Sequence, residues 1–412
     1  MNSAAPGFVI VGAGETGGRA ALTLREAGYG GEIALIGEEP HLPYERPPLS
    51  KAAMVNAEEP APTCIIDESR CGAGRIIHRA NSRVIAIDRS EHQVRLDDGR
   101  TVSYEKLLLA TGAIARRLTV PGAEHALVLR SFADALVLRR RLKLGAHICV
   151  IGGGFIGLEV TASAIQRGCR VTLVEAMPRL LARGVPAEIA ERVRARHERE
   201  GVTIYLGVGV ERIEGDRARL RVVLANGEQF DCDAVVAGVG AVPQTTVAEE
   251  AGLAIDNGIA VDATFKTSDH DIFAAGDCCS FPISHYGGRR VRLESWRNAQ
   301  DQGPAAARAM LGSNEPYSAL PWFWSDQYDE TLQIAGLPDE GRTCVSRHVG
   351  DASFFFHLAD DGRLVAASAY GPNAAIARDI RLAEMLIAAR ATPDPADLAS
   401  PDVKLKALLR TR

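Results

Sequence analysis

The sequence has no pair of cysteines at CxxC spacing, although eight cysteines are scattered through its 412 residues. Without such pairs, zinc and iron–sulfur ligation have no ligand frame, and no bound metal is expected. Adjacent Cys278 and Cys279 suit packing better than an unstrained disulfide. No apolar run approaches the roughly 20 residues of a membrane span, so no membrane is expected. The opening residues MNSAAPG lack the basic and apolar regions of a signal peptide, and with unpaired thiols they read as cytoplasmic. An excess of charge is missing too. Lys and Arg total 47 against 52 Asp and Glu, and the net charge of −5 gives no general attraction to nucleic acid. Aromatic residues are only 5%, so any cluster of them stands out.

What the chain does have is glycine in a particular setting. In Phe8–Glu39 an apolar run, Phe8–Val11, feeds Gly12, Gly14 and Gly17, then a helical segment, then a second apolar run, Ile33–Ile36, that ends near Glu38. Strand, glycine turn, helix and strand make a dinucleotide-binding unit. The first glycine allows the tight turn, the second lets backbone N–H groups approach a pyrophosphate, and the third lets helix pack on strand. A carboxylate at Glu38 would accept from a ribose hydroxyl. One deviation is that Gly37 holds the usual acidic place and Glu38 follows it.

About 140 residues later, His147–Glu175 repeats the pattern with Gly152, Gly154 and Gly157 and ends on Glu175. Two complete units imply two dinucleotides that must meet. A flavin and a nicotinamide are the natural pair, since one gives hydride and the other accepts it. Glu175 would accept from a free 2′-hydroxyl and repel a 2′-phosphate, which favours NADH; the next arginine is Arg179. A chain of this length suggests two or three domains.

Between and beyond these units lie further candidates. The loop His41–Lys51 has three prolines, and its Arg46 and Lys51 either face phosphate and ring or are solvated charges. The strand-like KLLLATG closes on Thr111-Gly112, and DIFAAGDC places Asp277 at a sheet edge, as a ribityl-binding carboxylate or a structural cap. Glu159 lies in the first turns of the second helix, where it either serves the helix dipole or touches the nicotinamide. Arg139–Lys143 reads as a solvated helix face. Arg289, Arg290, Arg292, Arg297 and Arg308 could form a docking face for an acidic protein, or plain surface. In PWFWSDQY, Trp322 or Trp324 either nears the flavin or packs a domain junction. Strand-like runs and a helix then form a smaller last domain.

The motifs GAGETG, PHLPYERPPLSK, ATG, GGGFIGLE, AAGDC, LESWRNAQDQG and WFWSDQYD follow one another as in the FAD-dependent ferredoxin reductases. That family serves Rieske-type dioxygenases and bacterial class I cytochrome P450 systems, and the resemblance covers essentially the whole chain. It implies an α/β, glutathione-reductase-like fold with two Rossmann-like domains and a C-terminal α+β domain. The expected boundaries are 1–113 with 245–320 for FAD, 114–244 for NADH, and 321–412 for the last domain. By motif, Gly12, Gly14, Gly17, Glu38, Arg46, Lys51, Thr111, Gly112, Asp277 and Trp324 would hold FAD. Gly152, Gly154, Ile156, Gly157, Glu159 and Glu175 would hold NADH. The family pairs the residues matching Lys51 and Glu159 near the nicotinamide, and Lys51, Glu159 and Trp324 are the expected catalytic group.

The resemblance further implies hydride transfer from NADH to flavin N5, then single electrons to a [2Fe–2S] ferredoxin, by a monomer or weak homodimer. Arg297 and Arg308 are the candidate docking residues. Relatives that reduce peroxide, oxygen or disulfides carry a redox cysteine after the proline loop, where this chain has Leu49-Ser50-Lys51. An NADH oxidase or peroxidase, and an NADH-sensing flavoprotein like apoptosis-inducing factor, are the alternatives.

Overall fold

The computed structural model describes residues 7–216 and 219–409; the first six residues, read above for a leader, lie outside these. The chain divides into two compact units. One takes in residues up to Arg46, Pro62–Ile114 and Val242–Ala319; the other takes in Pro47–Ala61, Ala115–Ala241 and the chain from Leu320 on.

In the first unit, apolar strands buried on both faces build a parallel sheet, as such sequences require. Its order is Ile76–Arg79, Ile33–Ile36, Gly7–Val11, Thr101–Leu109 and Ile272–Ala274, each neighbour parallel. Thr101–Leu109 is long because it serves two sheets. Its second half is buried in the parallel sheet, and its first half pairs antiparallel with Gln93–Leu96, which pairs with Val84–Asp88. Helices Glu15–Glu26 and Trp296–Met310 pack together, and Thr16 Oγ1 donates to the carbonyl of Ala299 at 3.2 Å. The close approach needs Gly303, where a Cβ would sit 2.6 Å from the Thr16 carbonyl oxygen.

The second unit carries its own parallel sheet, in the order Thr203–Leu206, Arg170–Glu175, His147–Ile151, Ala234–Ala237 and Ala126–Leu127. A three-stranded antiparallel sheet, Val210–Gly215, Leu220–Leu224 and Gln229–Cys232, shares a buried cluster with it that includes Cys149, Val222, Leu224 and Val235. The last residues form a five-stranded antiparallel sheet, ordered Trp322–Gln327, Glu330–Gly336, Leu364–Gly371, Ala352–Leu358 and Thr343–Val349, with helix Asn373–Ala388 packed on it.

Two sequence expectations need correction. The run Arg139–Lys143 is not simply a solvated face. Helix Phe132–Arg141 ends within it, and the Arg139 guanidinium donates to the carbonyls of Ala53, Met54, Asn56 and Glu58. Those carbonyls belong to the end of the short helix Ala52–Val55 and the residues after it, which have no helical donors of their own. Nor do the arginines near residue 290 form one free basic face. Arg290 donates to the carbonyls of Val261 and Ser280, and Arg292 pairs with Glu294.

Candidate active site

The two glycine turns are built alike. Gly12 and Gly152 have φ of +113° and +104°, and a Cβ there would lie 2.1 Å from the Ala110 carbonyl oxygen and 2.5 Å from that of Gly238. Gly17 and Gly157 each press on the carbonyl of the first glycine, at 1.9 and 2.0 Å from a would-be Cβ. Gly14 and Gly154, by contrast, have nothing within 4 Å of that position. The two N-capping glycines of helices Glu15–Glu26 and Phe155–Gln166 therefore open a cradle at each helix N-terminus. Unpaired N–H groups of the first turn suit an anion such as pyrophosphate.

Around the first cradle the structure gathers several expected residues. Beyond Ala110, the Thr111 amide also lies against Gly12, 3.1 Å from its would-be Cβ. Thr111 Oγ1 donates to the Gln244 carbonyl at 2.6 Å, and the Gln244 N–H donates to the carbonyl of Gly112 at 2.9 Å. Asp277 is half-buried just past strand Ile272–Ala274. Its turn abuts the first helix: Gly276, at φ +84°, leaves no room for a Cβ, which would meet Thr16 Oγ1 at 2.4 Å. The Gly276 N–H donates to buried Gln302 Oε1 at 2.7 Å. Thr16 and Gln302 were not singled out from sequence, since neither type nor spacing marks them before the helices are known to pack. Glu38 is exposed and lies 3.3 Å from Arg83. Arg46 is held by Glu39 at 2.8 Å and stacks over Tyr44, whose hydroxyl donates to Glu39.

In the second unit, Glu175 is fixed by backbone. Its carboxylate accepts from the N–H of Gly153 at 2.6 Å and of Met177 at 2.7 Å. Arg179 donates to the carbonyls of Leu180, Leu181 and Ala182. Ile156, in the first helical turn beside the open Gly154, is 45% exposed.

Lys51, Glu159 and Trp324 come together in this same unit. Glu159 projects from the second turn of its helix and is 5% exposed. An isolated buried carboxylate would cost several kcal/mol. Here Lys51 Nζ lies 3.3 Å from Oε1, Ser325 Oγ donates to Oε1 at 2.7 Å, and Ser50 Oγ donates to Oε2 at 2.5 Å. Hydrogen bonds to a charged group are worth about 1.5–3 kcal/mol each, so three donors offset the burial. Burial still pushes the carboxyl's pKa upward, with Lys51 and the two serines pulling against it. One turn on, Ser163 donates to the Ser50 carbonyl at 2.6 Å. Lys51 also lies 3.4 Å from Asp326, and its ammonium is 5.1 Å from the Trp324 ring centroid, within cation–π range. Trp324 stacks on Trp322 at 5.4 Å and donates from Nε1 to Asp326 at 2.9 Å. Ser50, Ser163, Ser325 and Asp326 escaped the sequence reading. The alternation of the strand Trp322–Gln327 was the available signal for the last two, because it sends Ser325 to the face opposite the tryptophans and keeps Asp326 on theirs.

These features match a known family. The description "pyridine nucleotide-disulphide oxidoreductase" fits residues 7–303 and "reductase C-terminal" fits residues 322–409. The chain belongs to the pyridine nucleotide-disulphide oxidoreductase family. It is 42% identical to the ferredoxin–NAD(+) reductase component of the anthranilate 1,2-dioxygenase system of Burkholderia cepacia, over 98% of this chain and 99% of that protein. Rhodocoxin reductase of Rhodococcus erythropolis is 38% identical over 97% of this chain and 93% of its own. Among solved structures, the ferredoxin reductase for the CYP199A2 system from Rhodopseudomonas palustris has a TM-score of 0.92 at 37% identity, covering 97% and 98% of the two chains. The covalent putidaredoxin reductase–putidaredoxin complex also gives 0.92, at 32% identity and 99% coverage of both. In the family fold, no described helix is long and apolar enough to cross a membrane.

Proposed function

We infer that this chain is an FAD-dependent NADH:ferredoxin reductase that feeds a Rieske oxygenase or a cytochrome P450. The observation that carries the reading is Lys51, bound to Glu159 and Asp326, in the position where thiol-dependent relatives need a cysteine. The eight cysteines are free, six of them buried, and Pro47–Ala61 contains none. That arrangement supports electron transfer over disulfide or peroxide chemistry, and free thiols suit a cytoplasmic setting.

Bound FAD supplies the conversion of a two-electron donor into one-electron deliveries. The open cradle at Gly14, with Gly12, Gly17, Thr111, Gly112 and Asp277 around it, suits FAD pyrophosphate and ribityl groups, with Glu38 and Arg46 as outlying contacts. The cradle at Gly154, with Gly152, Ile156 and Gly157, suits NADH. Glu175 orients the ribose, since its carboxylate is held by two backbone N–H groups and keeps lone pairs for a 2′-hydroxyl. Arg179 is engaged with carbonyls, which supports NADH over NADPH. Lys51, fixed by Glu159 and set over Trp324, presents one oriented cation at the reacting end. For the ferredoxin, Arg297 and Arg308 lie eleven residues apart on helix Trp296–Met310, three turns along one face. Arg308 is exposed, and Arg297 pairs with Asp301 at 3.5 Å.

The test is NADH-driven cytochrome c reduction with and without a panel of [2Fe–2S] ferredoxins. Strong dependence on one ferredoxin is expected. Rapid consumption of oxygen or peroxide, with no ferredoxin stimulating the rate, would turn the reading to an oxidase. Changing Arg308 to Glu should slow ferredoxin reduction and leave flavin reduction by NADH unchanged.

A further inference from the structure

The strand Trp322–Gln327 buries Ser325 and Gln327 to 1% and 2% exposure, and His197, on helix Ala187–Arg199, is completely buried. A line of hydrogen bonds joins them to the site. Ser325 Oγ donates to Glu159 at 2.7 Å, and Gln327 Nε2 donates to Ser325 Oγ at 3.2 Å. Gln327 Oε1 lies 2.9 Å from His197 Nε2, and the Tyr328 hydroxyl lies 2.9 Å from His197 Nδ1.

The polarity of this line follows from chemistry. An ionised carboxylate only accepts, so the Ser325 hydroxyl donates to it and takes the amide N–H of Gln327. Gln327 Oε1 is then left as an acceptor, which puts the imidazole proton on Nε2. Nδ1 carries none and accepts from the Tyr328 hydroxyl. Every donor in the line points toward Glu159.

We propose that Gln327 and His197 are positioning residues for the reductase reaction, acting through Ser325 to fix the Glu159 carboxylate and to hold its charge opposite Lys51. This rests on the reading of Glu159 and Lys51 as groups at the nicotinamide. Aligned donors polarise one another and strengthen the last bond, and they oppose the burial that favours a protonated Glu159. The charged groups facing Glu159 are Lys51 and, beyond it, Asp326. Those facing His197 are Arg196 and Glu200 on its own helix and Tyr328 across from it. Burial pushes the imidazole pKa down to about 4, so at neutral pH His197 is a fixed dipole and the line keeps one direction.

The experiment uses FAD-loaded wild type and the variants Gln327→Glu, Gln327→Leu and Glu159→Gln. Anaerobic stopped-flow reduction of the flavin by NADH is followed from about pH 5 to 9, the range in which the limbs of a rate profile report such groups. Gln327→Glu keeps the size and the acceptor for His197, but draws the Ser325 hydroxyl toward itself and away from Glu159. Its acid limb should move up by roughly half to one pH unit, with a rate at neutral pH lowered about two- to tenfold. Gln327→Leu should move the limb the same way. If Glu159→Gln alters the profile and folded Gln327→Glu does not, the positioning role is overturned while the site reading stands. If Glu159→Gln leaves flavin reduction unchanged, the site reading itself falls, and the positioning role with it. Nitrogen-15 NMR of wild-type His197 adds a check independent of any variant's folding. A neutral imidazole protonated at Nε2 is expected; protonation at Nδ1 reverses the line and refutes the proposal.

Discussion

The two glycine turns share a backbone and differ in where they put one side chain. Hydrogen-bond register makes Gly37 the counterpart of Glu175: the Gly12 N–H donates to the carbonyl of Ile36, and the Gly152 N–H donates to that of Val174. In the first turn the residue between the glycines is Ala13, whose Cβ would sit 2.6 Å from any Cβ at Gly37. In the second turn it is Gly153, and the room it leaves is taken by Leu180, whose Cδ2 would lie 2.4 Å from a Cβ there, and by Glu175, whose Oε2 would lie 3.2 Å from it. Where the first turn holds one methyl group, the second thus leaves room for a leucine side chain and a carboxylate. A held acid at the strand end needs an empty neighbour, and the first turn gives that space to alanine. Its acid moves one residue on, to Glu38, where solvent reaches it.

The largest effect should come from closing either turn. Gly12→Ala and Gly152→Ala each force a side chain into left-handed backbone and onto a carbonyl oxygen. If each turn serves its own cofactor, Gly12→Ala should purify without flavin absorbance. Gly152→Ala should keep its flavin and lose reduction by NADH by a factor of roughly 10³ or more, the scale of several kcal/mol of lost binding. Loss of flavin from both would break the assignment of one turn to each cofactor.

Acidification should bear on both units, since burial also lowers the pKa of His78 in the first, but most heavily on the second. Burial pushes the pKa values of His197 and His357, both in the second unit, down to about 4 from 6.5. A base with a lowered folded pKa stabilises the fold above the unfolded value and loses that contribution as pH falls toward the folded one. The window is therefore about pH 6.5 to 4, and each histidine stands to withdraw on the order of 3 kcal/mol across it. Glu15 in the first unit and Glu159 in the second have raised pKa values through burial. Their sign is opposite, favouring the fold in acid and losing that as pH rises through the folded value. Denaturant titrations at a series of pH values should show a steeper acid slope in wild type than in His197→Gln. Equal slopes would mean that the imidazole is not buried neutral.

Much of this was legible in the sequence because glycine spacing and apolar runs are local signals. Both turns, both acids and three strands of the C-terminal sheet, read at Thr331–Ala335, Ser353–Leu358 and Leu364–Ala369, follow from them, whereas strand Thr343–Val349 was not read. The partners of Glu159 do not. Ser50, Ser325 and Gln327 are 109, 166 and 168 residues from it in sequence or reach it only through one another, and serine and glutamine carry no spacing rule. Strand Ile76–Arg79 at the edge of the first sheet, and the helix Glu68–Ala73 before it, were missed for a related reason. Ile76 is the one fully apolar, buried position that the short strand offers, and its alternation is broken by His78 and Arg79.

Replacing Glu175 with Ala should raise KM for NADH by about 10- to 100-fold, the range of a hydrogen bond to a charged group, and should narrow the gap to NADPH. Gly153→Ala should reproduce part of that loss with the carboxylate still present, because the new methyl presses on Leu180 Cδ2 and crowds the Glu175 carboxylate beside it. Steady-state kinetics with both nucleotides measure each. An unaffected Gly153→Ala would mean that the carboxylate does not depend on the space beside it.

Glu38→Ala is the smallest expected effect and the sharpest check on the exchange. An exposed pair such as Glu38 with Arg83 is worth about 0–1 kcal/mol, and an exposed carboxylate reaching a ribose hydroxyl competes with water for it. FAD retention, measured by flavin release during denaturant titration, should fall only about two- to fivefold in Glu38→Ala. The reciprocal change, Ala13→Gly with Gly37→Glu, recreates the second turn's arrangement in the first. The Gly37 N–H already donates to the Arg79 carbonyl, so the backbone need not move, and an acid at 37 would gain the amide of residue 13 as a donor. If space is what set the two turns apart, the double variant should hold FAD at least as well as wild type, while Gly37→Glu alone, facing the Ala13 methyl, should hold it less well.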